Sequence, residues 1–166
     1  MISAKLSQQK LVEELHTAFT RSGKTLGLAE SCTGGALAAS ITSLAGASQF
    51  FAGSLVVYAN DWKESIVGVS QETIGTHGAV SRAVVTEMVE GLFDRTNVDF
   101  AAAVSGNIGK ATGSVYVAIG KRGEPIDAGI LHDVPADRKE AIEFVVKTIL
   151  AALLMRLVHN KKTFTT

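Results

Sequence analysis

Cysteine and proline are nearly missing from this sequence, which holds one cysteine, Cys32, and two prolines among 166 residues. A lone cysteine excludes an internal disulfide and any cysteine-built zinc cluster, and it suits a reducing compartment. Excess charge is missing too: 16 Lys plus Arg stand against 16 Asp plus Glu. The overall charge therefore directs the chain toward neither nucleic acid nor an acidic membrane surface. No apolar run approaches the roughly 20 residues that span a bilayer, and residues 1–20 lack the basic-then-apolar order of a secretion signal. A cytoplasmic protein with neither nucleic-acid nor membrane partners is expected. The 16 glycines suit tight turns between strands and helices better than a disordered tail. With no repeat and no low-complexity segment, the length fits one domain over residues 1–166.

What is present is an alternation of apolar strands and amphipathic helices. Leu11, Val12, Leu15 and Phe19 recur at helical spacing, so a helix is expected over 6–20, ending at Ser22-Gly23. A short buried strand over 25–29 leads through a polar turn into an Ala-rich helix over 33–44. A second strand is expected over 50–58, then a helix beginning near Asn60, and another beginning at Ser70 and stopping at Gly75. Ser81 caps a long helix reaching Thr96. Residues 98–104 are almost continuously apolar, the mark of a strand covered on both faces. They open into a second glycine-rich loop, Ser105 to Gly113. Residues 114–120 and 126–131 read as a hairpin turned at Arg122-Gly123-Glu124-Pro125, and 137–159 as the last helix. This order predicts an α/β domain of three layers, α/β/α, around a mixed sheet of about five strands.

Ligands of open α/β sheets bind outside the carboxyl ends of the strands. The loops after Ala29, Tyr58 and Val104 should therefore converge, bringing together Glu30, Ser31, Thr33, Gly34, Gly35, Asn60, Lys63, Ser105 and Gly106. Amides at a Gly-Gly helix start attract anions and oxyanions. Ser31 thus reads as a nucleophile whose developing oxyanion is held by its own amide or a neighbouring one; alternatively, Ser31 or Thr33 caps the helix. Lys63 lies in the first turn of a helix, where the dipole disfavours an ammonium and pushes its pKa down, as a base for a serine requires, while Asp61 and Glu64 nearby push it up, so the sequence leaves the net shift open. A Ser31–Lys63 hydrogen bond is the expected geometry, against the alternative of a solvated surface lysine. Tyr58 either presents its phenol to the cleft or sits in the core. His77, between turn residues, is a ligand contact or a surface histidine. Arg138 opens the last helix, ill placed for the dipole and well placed to grip a phosphate, as is Lys110 from the second loop. Cys32 rivals Ser31 as nucleophile or is a buried, inert thiol.

Three blocks, Ala29-Glu-Ser-Cys-Thr-Gly-Gly35, Tyr58-Ala-Asn-Asp-Trp-Lys63 with Val67-Gly-Val69, and His77-Gly-Ala-Val-Ser81, resemble the signatures of the CinA C-terminal domain family. That family carries the competence/damage-inducible name, and its stand-alone members include nicotinamide mononucleotide (NMN) deamidases, often called PncC. The resemblance implies hydrolysis of the NMN carboxamide to nicotinate mononucleotide and ammonia, a step of pyridine nucleotide (NAD) recycling. It implies Ser31 and Lys63 as the reactive pair with Tyr58 in the site, no metal or other cofactor, and a homo-oligomer. One departure stands out. The family's T-G-x-A-G-P and K-P-V-G blocks after the central strand are replaced by the shorter 105–113 loop, and its G-D-R triplet reads Ala136-Asp137-Arg138. Three readings stay open: an amidohydrolase with a more open pocket, a divergent relative that binds a nucleotide or other small ligand without turnover, and a structural or regulatory paralogue.

Overall fold

The computed structural model describes residues 6–109 and 113–164. The chain runs α1 (Gln8–Ser22), β1 (Leu26–Glu30), α2 (Ala36–Thr42), β2 (Phe51–Val56), α3 (Asn60–Val67), α4 (Gln71–His77), α5 (Arg82–Arg95), β3 (Phe100–Gly106), β4 (Val115–Lys121), β5 (Asp127–Leu131) and α6 (Arg138–His159). The five strands form one sheet in the order β2-β1-β3-β4-β5. The first three are parallel, β4 runs antiparallel to β3, and β5 runs antiparallel to β4 and so in the direction of the first three. The expected three-layer α/β/α architecture with a mixed sheet is what the chain adopts.

Side-chain alternation on the strands explains the layers. Leu26 and Leu28 of β1, Phe100, Ala102 and Val104 of β3, and Val115 and Val117 of β4 share a core with α1, α2 and α6. The intervening Ala29, Ala101, Ala103 and Ala118 pack with Val84, Val85, Met88 and Leu92 of α5 and Val67 of α3. The alanines keep that second layer thin. Helix α3 lies directly on α5, since a Cβ on Gly91 would fall 1.6 Å from the Val67 carbonyl oxygen. Only glycine permits that approach, and it sets the height at which α3 stands over the sheet. Helix starts follow their sequence signals: Ser7, Ser70, Ser81 and Asp137 accept hydrogen bonds from the amides of Lys10, Thr73, Val84 and Glu140.

Several expected boundaries are corrected. Helix α2 begins at Ala36 rather than Thr33, with Gly35 at its cap position and no side-chain capping bond, so neither Ser31 nor Thr33 caps it, and β2 ends at Val56 rather than Tyr58. Ser105 and Gly106 belong to β3, paired with Tyr116 and Val115, so the loop proper begins at Asn107. Helix α4 runs through Gly75 to His77 and stops only at Gly78, whose amide closes on the Ile74 carbonyl. An isolated glycine weakens a helix by roughly 1 kcal/mol, too little to stop one that its cap and neighbours hold. Among the described residues no helix is long and apolar enough to cross a membrane.

Candidate active site

Because β1, β2 and β3 are parallel, with Glu30 abreast of Val56 and Val104, their carboxyl ends open side by side. The turn leaving β1 is tied to β3 by the Ser31 amide, which donates to the Val104 carbonyl at 3.0 Å. It then folds back through bonds from the Gly34 amide to the Ser31 carbonyl and from the Ala36 amide to the Thr33 carbonyl, both 3.0 Å. Gly34 and Gly35 have φ of +61° and +97°, the left-handed conformation that glycine adopts without strain.

Glu30 closes this turn from beneath. Its side chain is fully buried and accepts five hydrogen bonds: from Thr33 Oγ1 at 2.7 Å, the amides of Gly35 and Leu37 at 3.1 Å, the Ala38 amide at 2.9 Å and Ser54 Oγ at 3.0 Å. The amides at the start of α2, read from the sequence as open to a ligand anion, are thus already taken by the chain's own carboxylate. Charge-assisted bonds of this kind contribute about 1.5–3 kcal/mol each, which offsets the cost of burying the charge. The Ser31 amide is likewise spent on β3, which corrects the expectation that it serves an oxyanion. Among the described residues the neighbouring amides of Cys32 and Thr33 have no backbone acceptor elsewhere in the turn.

The Ser31 hydroxyl, on a residue only 6% exposed, forms no hydrogen bond with any described residue. Beside it Cys32 is buried, and burial pushes its thiol pKa up to about 11. It is a neutral packing group rather than a rival nucleophile. Lys63 is 2% exposed, so the solvated-surface reading fails. Desolvation lowers its pKa below the ordinary lysine value, with a Coulombic pull from Cys32 opposing. That mutual interaction puts the amine within electrostatic reach of the turn. No carboxylate pairs with it among the described residues. The expected Ser31–Lys63 hydrogen bond is not formed; Lys63 Nζ donates to the Tyr58 carbonyl at 3.1 Å. One of the three ammonium donors is thus taken by the carbonyl just ahead of its own helix.

Tyr58 is 59% exposed and is no core residue. Its hydroxyl accepts from Arg138 Nη2 at 3.1 Å, while Arg138 Nη1 donates to the Ile108 carbonyl at 3.2 Å. One guanidinium therefore joins the segments after β2 and β3 to the start of α6. Asn60 begins α3, exposed and without a capping bond. Ser105 is buried, its hydroxyl committed to the Ala79 carbonyl at 2.8 Å; it holds the segment after α4 in place. Gly106 presses on the nucleophile turn, since a Cβ there would lie 3.1 Å from Cys32 Sγ. His77 is not joined to this group by any hydrogen bond or ion pair among the described residues. With Ser81, Arg82, Glu87 and Tyr116 it lines an open groove of about 810 Å³ beside α5. Lys110 lies outside the described residues. No cluster of three or more His, Cys, Asp or Glu able to hold a metal ion occurs among those described.

Ser54 and the carbonyls of Ala79 and Ile108 escaped the sequence reading. For Glu30 a signal did exist: strand alternation puts it on the face of Leu26 and Leu28, against α2 rather than toward a ligand.

Comparison with known proteins supplies the remaining evidence. The model of the CinA C-terminal domain matches residues 8–157. The chain is 41% identical over 123 residues to a CinA-like protein of Shewanella pealeana, covering 70% of this chain and 29% of that protein. It is 36% identical over 158 residues to one of Leptospira borgpetersenii, covering 91% and 38%. The chain thus spans less than two-fifths of these relatives' length. Its fold is similar to the crystal structure of the competence damage-inducible protein A of Klebsiella pneumoniae, with a TM-score of 0.87 at 30% identity over 94% of this chain and all of that one.

Proposed function

The chain belongs to the CinA C-terminal domain family, and from that premise we propose that it is a nicotinamide-nucleotide amidase-like hydrolase working through Ser31 and Lys63. The observation that carries the reading is a serine hydroxyl with no hydrogen-bond partner among the described residues, next in sequence to a cysteine that lies within electrostatic reach of a buried lysine whose ammonium is disfavoured. In the neutral form the Lys63 amine leaves the Tyr58 carbonyl and takes the proton from Ser31 Oγ as that oxygen attacks the carboxamide carbon. The amides of Cys32 and Thr33 receive the oxyanion. Collapse breaks the C–N bond, the Lys63 ammonium returns the proton to the leaving nitrogen, and ammonia departs. Water, deprotonated by Lys63, then attacks the ester and frees the carboxylate product and Ser31. Arg138, reaching from α6 over Tyr58, makes the phosphate contact. The reading takes the protein as a cytoplasmic homo-oligomer in pyridine nucleotide recycling.

A second reading, a ligand-binding relative without turnover, draws on the missing Ser31–Lys63 bond and the shortened 105–113 loop. Ammonia release from NMN by purified protein, lost in Ser31→Ala, is the result the hydrolase reading expects. Thermal stabilisation by NMN without ammonia would transfer the assignment to the binder.

A further inference from the structure

Every hydrogen-bonding direction of the Glu30 carboxylate is in use. An ionised carboxylate offers about four lone-pair sites, and this one receives five donors from two separate parts of the chain. Thr33, Gly35, Leu37 and Ala38 belong to the nucleophile turn and the first turn of α2, whereas Ser54 belongs to β2. Nothing is left with which Glu30 can touch a substrate, and its full burial denies a substrate access. Yet it is the residue immediately before Ser31, and its bonds bracket that serine: backbone on one side, residues 33–38 on the other.

We infer that Glu30 is a positioning residue, an internal anion that replaces a ligand at the start of α2 and fixes the Ser31–Thr33 turn in the shape the nucleophile needs. The catalytic consequence rests on the amidase reading above; the structural statement does not. Three features favour this over generic core packing. Four of the five donors are N–H or O–H groups of one short segment, so their loss acts mainly on that segment, with only the Ser54 hydroxyl tied to the sheet. Among the described residues the Ser31 hydroxyl has no bond of its own to hold it, so its place is inherited from the turn. The charge matters as well as the shape, because an amide in place of one oxygen turns an N–H donor toward other donors.

Cys32, the sole cysteine, is buried within the turn and reports on it directly. The test is the rate at which Ellman's reagent modifies Cys32, at a temperature well below melting, alongside kcat and KM for NMN. Glu30→Gln should raise the modification rate at least tenfold and lower kcat at least a hundredfold with KM within about threefold. Ile149→Ala, a core cavity on α6 brought to the same melting temperature, should leave Cys32 protected and kcat within about twofold. Should Glu30→Gln fail to fold, Thr33→Val and Ser54→Ala decide the matter: the loss inside the turn must accelerate modification and lower kcat more than the loss from β2. Equal protection of Cys32 in Glu30→Gln and wild type, equal effects of the Thr33 and Ser54 variants, or an unchanged kcat would overturn the inference. A wild type that releases no ammonia defeats the amidase reading alone, since Cys32 modification still tests whether Glu30 holds the turn.

Discussion

The turn after β1 and the loop after β3 leave neighbouring parallel strands at the same end of the sheet, yet they are held in opposite ways. The first is fixed from inside by a buried carboxylate and needs nothing beyond its own segment and Ser54. The second is fixed from outside, by the exposed guanidinium of Arg138 reaching the Ile108 carbonyl. A carboxylate sealed under a turn stays put whatever ligand arrives. A solvent-facing arginine exchanges partners readily, because exposed charge-assisted bonds compete with water and salt. The difference divides labour: the rigid region suits bond making, the exchangeable region suits recognition. Variants on the first should therefore act on kcat, those on the second on KM.

The largest expected effect is on the rigid side. Ser31→Ala should lower kcat by three orders of magnitude or more with the fold intact, as loss of a covalent nucleophile does elsewhere. Ammonia release and a thermal melt measure both. Retention of more than about a tenth of the rate, under roughly 1.4 kcal/mol of transition-state stabilisation, would remove Ser31 from the role.

Lys63 comes next, and here activity and stability should part company. Lys63→Arg should not restore turnover, since guanidinium keeps its proton at working pH. Lys63→Met should abolish turnover but raise the melting temperature at neutral pH, by a few degrees, because an apolar group replaces a buried ammonium. The sign follows from linkage. Burial lowers the folded-state pKa below 10.5, so between that lowered value and 10.5 the unfolded chain binds more protons than the folded one. Wild-type stability must rise with pH across this window, with the full cost of the charge present below it. The methionine variant should lose that rise, and kcat/KM of the wild type should climb with pH through the same lowered pKa. Denaturation curves and rate profiles over the alkaline range check both.

On the exchangeable side, Arg138→Ala should raise KM for NMN roughly 10- to 100-fold, the span of one charge-assisted contact of about 1.5–3 kcal/mol, with kcat little changed. Nicotinamide riboside, which lacks the phosphate, should show no such loss. Equal efficiency of wild type on NMN and the riboside would mean that phosphate is not read.

The two regions also differed in how far the sequence disclosed them. The strands and helices are legible because their apolar periods are strong; Ser31 and Tyr58 are reached because β-strand ends converge by topology, Lys63 by that convergence and its place against a helix dipole, and Arg138 by its place at the start of the last helix. What was not legible was which polar groups are already satisfied. The string Glu30-Ser31-Cys32-Thr33 looks like four equivalent candidates, but the alternation that buries Leu26 and Leu28 turns Glu30 inward, where it consumes the amides the sequence seemed to offer. Ser105 was misread for a similar reason: a glycine beside it suggested a loop, while pairing with Tyr116 keeps it in β3. Lys63 is buried rather than solvated, and its amine turns back to the Tyr58 carbonyl just ahead of its own helix, a contact that no residue pattern announces. His77, a candidate ligand contact by sequence, is the last residue of α4, two residues beyond the glycine expected to end it, and lines the groove beside α5.

The smallest effect sharpens the comparison most, because it falls where the two regions touch. Gly106 ends β3 against the nucleophile turn; a methyl there would meet Val115 Cγ2 at 2.8 Å, the Ser114 carbonyl at 3.0 Å and Cys32 Sγ at 3.1 Å. The Ser114 carbonyl is held by the Asn107 amide at 2.9 Å, so it yields poorly, and the strain passes to Val115 and Cys32. Overpacking of this kind costs about 1–3 kcal/mol, which chemical denaturation will measure. If the carboxylate beneath the turn makes it rigid, Cys32 does not give way: Gly106→Ala then lowers stability while kcat falls less than about threefold, and KM rises as the loop after β3 moves instead. If kcat falls in step with stability and Cys32 becomes reactive, the turn is the softer partner, and the division between a rigid chemical region and an exchangeable recognition region is wrong.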